Sequence, residues 1–377
     1  MAIKILNVIT DGLTSGGIPS MWLSYCKEIK RQGLDKKVDM VFPYIEDLSL
    51  KSTEEKFNVL GLKTPHLPNR QRQPFRYLYA LLRMIKEGEY DIIHANGSSS
   101  MMSIEMLAGK LMGVKVRISH SRNTTSNHFF LHKFLQPLFG MLCNVRFACG
   151  TKAGEWLFPG KDFTVIHNGK DFSNFKYSKE KREKERREIG LEGKYVIGHV
   201  GKFVAWKNQR FLLDVIEEER KIIPESVLYL MGEGEQEEEI RALVKQKGLS
   251  DCVIIAGLVQ DMPDRLQAMD IMVLPSFFEG IPNVMIEWQA MGLPSIVSDV
   301  VDRESAPSDL VTFVSLNKGA KQWAEEIKRI RDCHKDKDRK TDSIKATEAL
   351  MRAGYDITAG VKFLVGKYEE LVKSKTK

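Results

Sequence analysis

Short apolar runs recur along the chain, each followed by a turn-forming cluster and then by apolar residues at helical spacing. IKILNVI at 3–9, YVIGHV at 195–200 and IMVL at 271–274 are examples, and runs at 38–42, 90–94, 115–119, 163–166, 227–231, 253–256, 295–298 and 312–314 read the same way. Between them, helical spacing is predicted over 18–32, 75–86, 100–112, 177–187, 209–220, 262–269, 283–291, 319–331 and 356–373. Residues 57–72 read as loop with a possible short strand, and 333–339 (CHKDKDR) as a polar connector. Strand, loop and helix in alternation predict an α/β protein with parallel sheets. A chain of 377 residues is long enough for two such domains, each with its own core.

Hydrophobic residues make up 43% and charged residues 28%, a balance that fits a water-soluble core and surface. No run reaches the ~18 uninterrupted apolar residues of a membrane span. MAIKILNVITDG reads as strand and turn, not as a signal peptide, so a cytoplasmic chain is expected. The five cysteines are scattered, with no CxxC pair, which predicts reduced thiols and no structural zinc. Charge is uneven: +9 over residues 1–170 and −2 over the rest. A basic first half suits nucleic acid, an anionic membrane surface or a diphosphate-bearing partner. No zinc-finger or RNP-type pattern is present, so nucleic acid is set aside. Residues 127–148 (NHFFLHKFLQPLFGMLCNVRFA) mix aromatic and basic positions. They read either as a segment dipping into a membrane interface or as an ordinary helix with one buried face.

The densest chemistry lies in residues 271–299, IMVLPSFFEGIPNVMIEWQAMGLPSIVSD, a β-loop-α-β unit. Asn283 suits a helix entrance, and a helix start offers N–H groups to an anion. Glu279 in the loop can reach a group above the strand ends, while Glu287, about one turn into the helix, can accept hydrogen bonds from a diol. Two acceptors around a phosphate-binding helix start suit a sugar nucleotide. A second loop, Gly201 to Asn208, carries Lys202 and Lys207 between a strand and a helix. Gly16 and Gly17 follow the first strand, but a full GxGxxG is missing, which argues against an NAD-dependent oxidoreductase. His94 and His120 are predicted at adjacent strand ends, where α/β folds bind ligands. Gly232 and Gly234 admit a ligand or a neighbouring loop. The charged run at 177–187 reads as a solvated helix face.

PSFFEG…P…EWQAMGLPSIVSD closely resembles the donor-binding segment of retaining GT-B glycosyltransferases of family 4, particularly those that build bacterial capsules and exopolysaccharides. The resemblance implies two Rossmann-like domains facing across a cleft: 1–170 for the acceptor, 171–355 for the donor, and 356–377 as a helix crossing back. It implies that Lys202, standing where Arg is usual, and Lys207 clamp a diphosphate. Glu279 would hold sugar hydroxyls and Glu287 the ribose, with Gly280, Ile281, Pro282, Asn283 and Val284 around them. The base would lie against Gly257 and Leu258, and the Gly16-Gly17 loop near donor phosphate and acceptor. His120 would contact the donor sugar, although Ser121 follows it where Asp is more common. Asn168-Gly169 looks like the hinge-proximal element, with Lys170-Asp171 in place of Val-Asp. The implied reaction moves a hexosyl unit from a nucleotide sugar, a UDP-sugar above all, to a hydroxyl of a saccharide acceptor, and needs no metal, no cofactor and no covalent nucleophile. The excess positive charge of the first half makes a lipid-linked acceptor at the inner face of the plasma membrane the expectation. A non-hydrolysing epimerase of the same fold and a non-catalytic partner subunit are the alternatives.

Overall fold

The computed structural model describes residues 2–125, 128–335 and 337–376. Met1, Asn127 of the predicted amphipathic segment, Asp336 of the connector and the terminal Lys377 lie outside the described residues, as does Ser126.

In chain order the first elements are β1 (Ile3–Ile9), α1 (Gly17–Arg31), β2 (Val38–Val41), β3 (Tyr44–Ile45), α2 (Lys51–Val59), β4 (His66–Leu67) and α3 (Pro74–Gly88). They continue with β5 (Ile92–Gly97), α4 (Ser103–Leu111), β6 (Val116–Ser121), α5 (Phe129–Leu142), β7 (Val145–Ala148), α6 (Thr151–Leu157) and β8 (Thr164–Val165). Next come α7 (Lys179–Glu188), β9 (Tyr195–Val200), α8 (Gln209–Ile222), β10 (Ser226–Met231), α9 (Glu237–Gln246), β11 (Val253–Gly257) and α10 (Met262–Gln267). The last are β12 (Ile271–Leu274), α11 (Asn283–Ala290), β13 (Ser295–Ser298), β14 (Val311–Val314), α12 (Gly319–His334), α13 (Arg339–Arg352) and α14 (Ile357–Thr376).

The chain divides into two compact units, residues 1–170 with 354–377, and residues 171–353. The first unit holds a six-stranded sheet in the order β2-β1-β5-β6-β7-β8, parallel throughout. Ile357, Val361, Leu364 and Val365 of α14 are buried in one of its two core clusters, beside Trp22 and Tyr25 of α1. The second unit holds a parallel sheet in the order β11-β10-β9-β12-β13-β14. From β9 the chain builds outward to β10 and β11, then returns to place β12 on the other side. That reversal opens a crevice at the carboxyl ends of β9 and β12, where doubly wound sheets bind ligands.

Several elements depart from the sequence expectations, each for a physical reason. α2 falls where no helix was expected, at the edge of the predicted loop, because only Thr53 and Phe57 face inward and its apolar stripe is thin. α13 buries Ser343, Ala346 and Leu350, a mostly small face, and Asp338 caps it by accepting from the Lys340 and Thr341 amides. The run at 177–187 is not a purely solvated face. Arg182 and Arg186 of α7 both pair with Asp270, and they donate to the Gln267, Ala268 and Met269 carbonyls at the end of α10. A helix terminus leaves carbonyls unsatisfied, and guanidinium groups suit them.

Candidate active site

The loops leaving β9 and β12 meet over the crevice. The Phe277 amide donates to the Trp206 carbonyl at 2.8 Å, and the Asn208 side chain donates to the Pro275 carbonyl at 3.2 Å. Asn208 has φ 58°, in the left-handed region where Asn is better tolerated than most residues, and this bends the chain into α8. The joined loops bring Lys207 and Glu279 together: the ammonium donates to the Glu279 carboxylate at 2.5 Å, with both side chains mostly buried. The same carboxylate oxygen accepts from the Ser276 hydroxyl at 2.9 Å. An ammonium has three donors and a carboxylate two oxygens, so each group keeps capacity for a ligand. Lys202 is exposed at the mouth of the β9 loop.

Behind this pair lies a buried polar chain that the sequence reading missed. His199 donates from Nδ1 to the Val273 carbonyl at 2.9 Å, and Gln209 donates to the Lys202 carbonyl at 2.7 Å and towards His199 Nε2 at 3.4 Å. Burial pushes the His199 imidazole down to about 4, opposed by its backbone bond and assisted by nearby Lys207. The ring is therefore neutral near pH 7 and works as a strut between β9, β12 and the lysine loop. Gly232 and Gly234 serve the neighbouring loop. At Gly232 φ is +136° and a Cβ would stand 2.1 Å from the Gly201 carbonyl oxygen; at Gly234 one would stand 2.5 Å from that of Phe203. The Gly232 amide donates to Gly257, which links the β11 end to the Gly201 turn.

The sequence placed Asn283 at the helix entrance. Instead Pro282 occupies the N-cap position with extended backbone, and Asn283 is the first helical residue of α11. Pro282 offers this helix start no side-chain cap, and no acidic residue lies in its first turn. Val284 and Glu287 are half-buried on α11, and Gly280 and Ile281 are half-buried in the loop before it. Leu258 is exposed and lines a cavity of about 460 Å³ with Tyr229, Val259 and Arg265.

In the first unit the expected strand-end histidines need correction. β5 continues to Gly97 and β6 to Ser121, so His94 and His120 lie inside the sheet. Asn96 pairs with His120 and Gly97 with Ser121, extending the ladder through polar residues. The two imidazoles are fully buried and stack with centroids 5.2 Å apart; His94 also contacts the Tyr368 hydroxyl at 2.7 Å. Burial drives both rings well below the usual histidine range, with Arg122 adding to it. The His120 ring is thus buried in the first unit, one residue before the end of β6. Gly16 caps α1 and Gly17 begins it, also in this unit. Arg122 stands just beyond β6, its guanidinium held by Asn96 Oδ1 at 2.7 and 3.0 Å and by Asn168 Oδ1 at 3.0 Å. Beyond the ends of β1, β5 and β6 lies a polar cavity of about 220 Å³ lined by Thr10, Asp11, Arg70, Ser98, Ser99 and Asn123, among others. Burial raises the Asp11 carboxyl above its ordinary value, partly offset by Arg70.

Residues 194–332, which carry both loops of the crevice, match the family described as glycosyl transferases group 1. The second unit thus carries a domain of that group. Glycosyltransferase EpsF of Bacillus subtilis is 29% identical to this chain, over 97% of it and 96% of that protein. A UDP-Gal:alpha-D-GlcNAc-diphosphoundecaprenol alpha-1,3-galactosyltransferase of Escherichia coli is 27% identical, over 59% of this chain and 61% of the relative. Among solved structures, Anabaena Alr3699/HepE in complex with UDP superposes with a TM-score of 0.80 over 98% of this chain and all of that one, at 17% identity. The fold is GT-B, and a capsular polysaccharide biosynthesis glycosyltransferase of Staphylococcus aureus is 23% identical, over 68% of this chain and 73% of that protein. Among the described residues no helix is long and apolar enough to cross a membrane.

Proposed function

We propose that this chain moves a hexosyl unit from a UDP-sugar to a lipid-linked saccharide, with retention at the anomeric carbon and without a metal ion. The observation that carries the reading is the Lys207–Glu279 pair at the crevice of the second sheet, where a cation and a carboxylate stand side by side. A nucleotide sugar asks for that combination: charge for its diphosphate, acceptors for its hydroxyls. Lys207 and Lys202 would neutralise the departing diphosphate, helped by the start of α11 at Asn283, since preorganised charge stabilises a leaving group as it forms. Glu279 would hold hydroxyls of the transferred sugar and Glu287 those of the ribose. Gly201, Gly280, Ile281, Pro282 and Val284 would let the ligand approach, and the backbone at Gly257 and Leu258 would face the base.

No side chain is assigned as a nucleophile. The acceptor hydroxyl would attack from the face the diphosphate leaves, passing its proton to the leaving phosphate, so the lysines do the work a metal would otherwise do. Acceptor hydroxyls suit the polar cavity beside Asp11 and Asn123 in the first unit. The name of the E. coli relative, which joins a galactosyl donor to a diphosphoundecaprenol acceptor, supports a lipid-linked acceptor and a place at the inner membrane face.

A thermal-shift panel of UDP-, GDP- and ADP-sugars in the presence of EDTA tests the donor assignment, because a ligand that binds only the native state raises the melting temperature. A UDP-sugar at 100 times its Kd is expected to add about 2.7 kcal/mol, a rise of roughly 5–10 °C for one unit. A larger rise with a GDP- or ADP-sugar, or none without added metal, would overturn the assignment. Turnover of a UDP-sugar without any acceptor would point to the epimerase alternative.

A further inference from the structure

We propose that the outer face of α5, with the adjoining surface of α3, docks onto an anionic lipid bilayer. α5 is anchored on one side. His132, Phe139 and Leu142 are buried, and His132 accepts from the Ser100 amide at 3.0 Å and stacks on Trp156 with ring centroids 4.7 Å apart. The opposite side is apolar and uncovered. Phe130 is 88% exposed, Phe134 79% and Met141 70%, with Leu138 also exposed between them. At spacings of four, four and three these residues form one stripe along a helix of about 21 Å. Packed side by side on the same layer, α3 meets α4 and α4 meets α5. On α3, Phe75 and Tyr79 are likewise exposed, one turn apart.

Charge selects the partner. Residues 56–86 carry seven Lys or Arg and no Asp or Glu; residues 106–154 repeat that count. α3 lies almost wholly in the first stretch, and most of α4 with all of α5 in the second. Arg76, Arg83 and Lys86 on α3, Lys110 on α4 and Lys133 on α5 are exposed. Large apolar side chains flanked by Lys and Arg, on a helix too short to span, describe an interfacial helix that lies in the headgroup region. A second copy of the chain would set one basic face against another, and an anionic bilayer offers the opposite sign. The inference deepens the reading of a lipid-linked acceptor, since a docked first unit would face the leaflet that carries such a substrate.

Flotation with phosphatidylglycerol-containing vesicles, without donor or acceptor, tests the surface separately from transfer. The wild-type protein is expected to float with these vesicles and to be released by high salt. Phe130→Ser with Phe134→Ser should lower the bound fraction roughly tenfold. Lys110→Glu with Lys133→Glu should weaken binding in the same direction, giving a second readout should the first variant melt early. Transfer to a short soluble acceptor should persist in both variants; its loss in the wild type would strike the transferase reading and not this one. Equal flotation of wild type and variants, salt-insensitive binding to phosphatidylcholine alone, or a dimer that dissolves on Phe130→Ser with Phe134→Ser would overturn the proposal.

Discussion

Lys207→Ala is expected to lower kcat/KM for sugar transfer by about 10²–10³-fold, the range seen when one preorganised charge-stabilising group is removed from a leaving-group site. Two features make the loss large. Lys207 is mostly buried beside Glu279, so water cannot fully replace its charge on the diphosphate. Removing it also leaves Glu279 in the same pocket without its cation, where its negative charge opposes the donor. The loss should fall mainly on kcat, because charge on the diphosphate is greatest as the glycosidic bond breaks. Steady-state kinetics with the donor identified by thermal shift would show it. A variant within about threefold of wild type, below the weakest effect expected of such a group, would remove Lys207 from the mechanism.

Glu105→Ala should be the most damaging substitution for the first unit. Glu105 is fully buried on α4, accepting from Arg70 at 3.1 Å and from the Tyr77 hydroxyl at 2.7 Å through the same oxygen. Arg70 is almost as deeply buried and donates further to the Met101 carbonyl at 3.0 Å. Breaking a buried pair by deleting one member costs about 3–5 kcal/mol, since it strands the other charge away from water. Thermal unfolding should move the midpoint of this unit down by roughly 10 °C. Glu105→Gln, which keeps an acceptor for Tyr77, should lose less than the alanine variant. A shift in Glu105→Ala below about 2 °C would mean that the pair is worth no more than a surface salt bridge. Because Arg70 also lines the polar cavity, the same variant ties the stability of α3 and α4 to the shape of that cavity.

The strand–loop–helix repeats were legible because buried parallel strands are short apolar runs, and the runs at 3–9, 195–200 and 271–274 coincide with β1, β9 and β12. Legibility failed where buried faces are polar or small. β5 and β6 extend through Asn96 and Ser121, whose buried side chains are paired inside the unit, so the strands outlast their apolar runs and carry His94 and His120 indoors. α2 and α13 bury too little apolar surface to show a clear period. The roles of Arg182 and Arg186 depend on Asp270, far along the chain, which no local pattern can reveal. The same holds at the site. Lys207 and Glu279 were each recognisable by their loops, but assigned to different parts of the donor. Their contact arises only because β9 and β12, distant in sequence, are neighbours at the point where strand order reverses. His199 and Gln209 were hidden for another reason: a histidine inside YVIGHV and a glutamine at a helix start look ordinary until the strand ends meet.

That contact sets the most direct test of the account, a calorimetric comparison of UDP and UDP-sugar binding to wild type, Lys207→Ala and Glu279→Ala in EDTA. If Lys207 serves the diphosphate, Lys207→Ala should weaken both ligands by a similar factor, about tenfold or more for loss of a charge-assisted contact. If Glu279 serves the sugar, Glu279→Ala should bind UDP at least as well as wild type, its lysine released from the carboxylate, and lose affinity for the UDP-sugar. Equal losses for UDP and UDP-sugar in Glu279→Ala, or unchanged binding in Lys207→Ala, would contradict the assignment of the pair to the two halves of the donor.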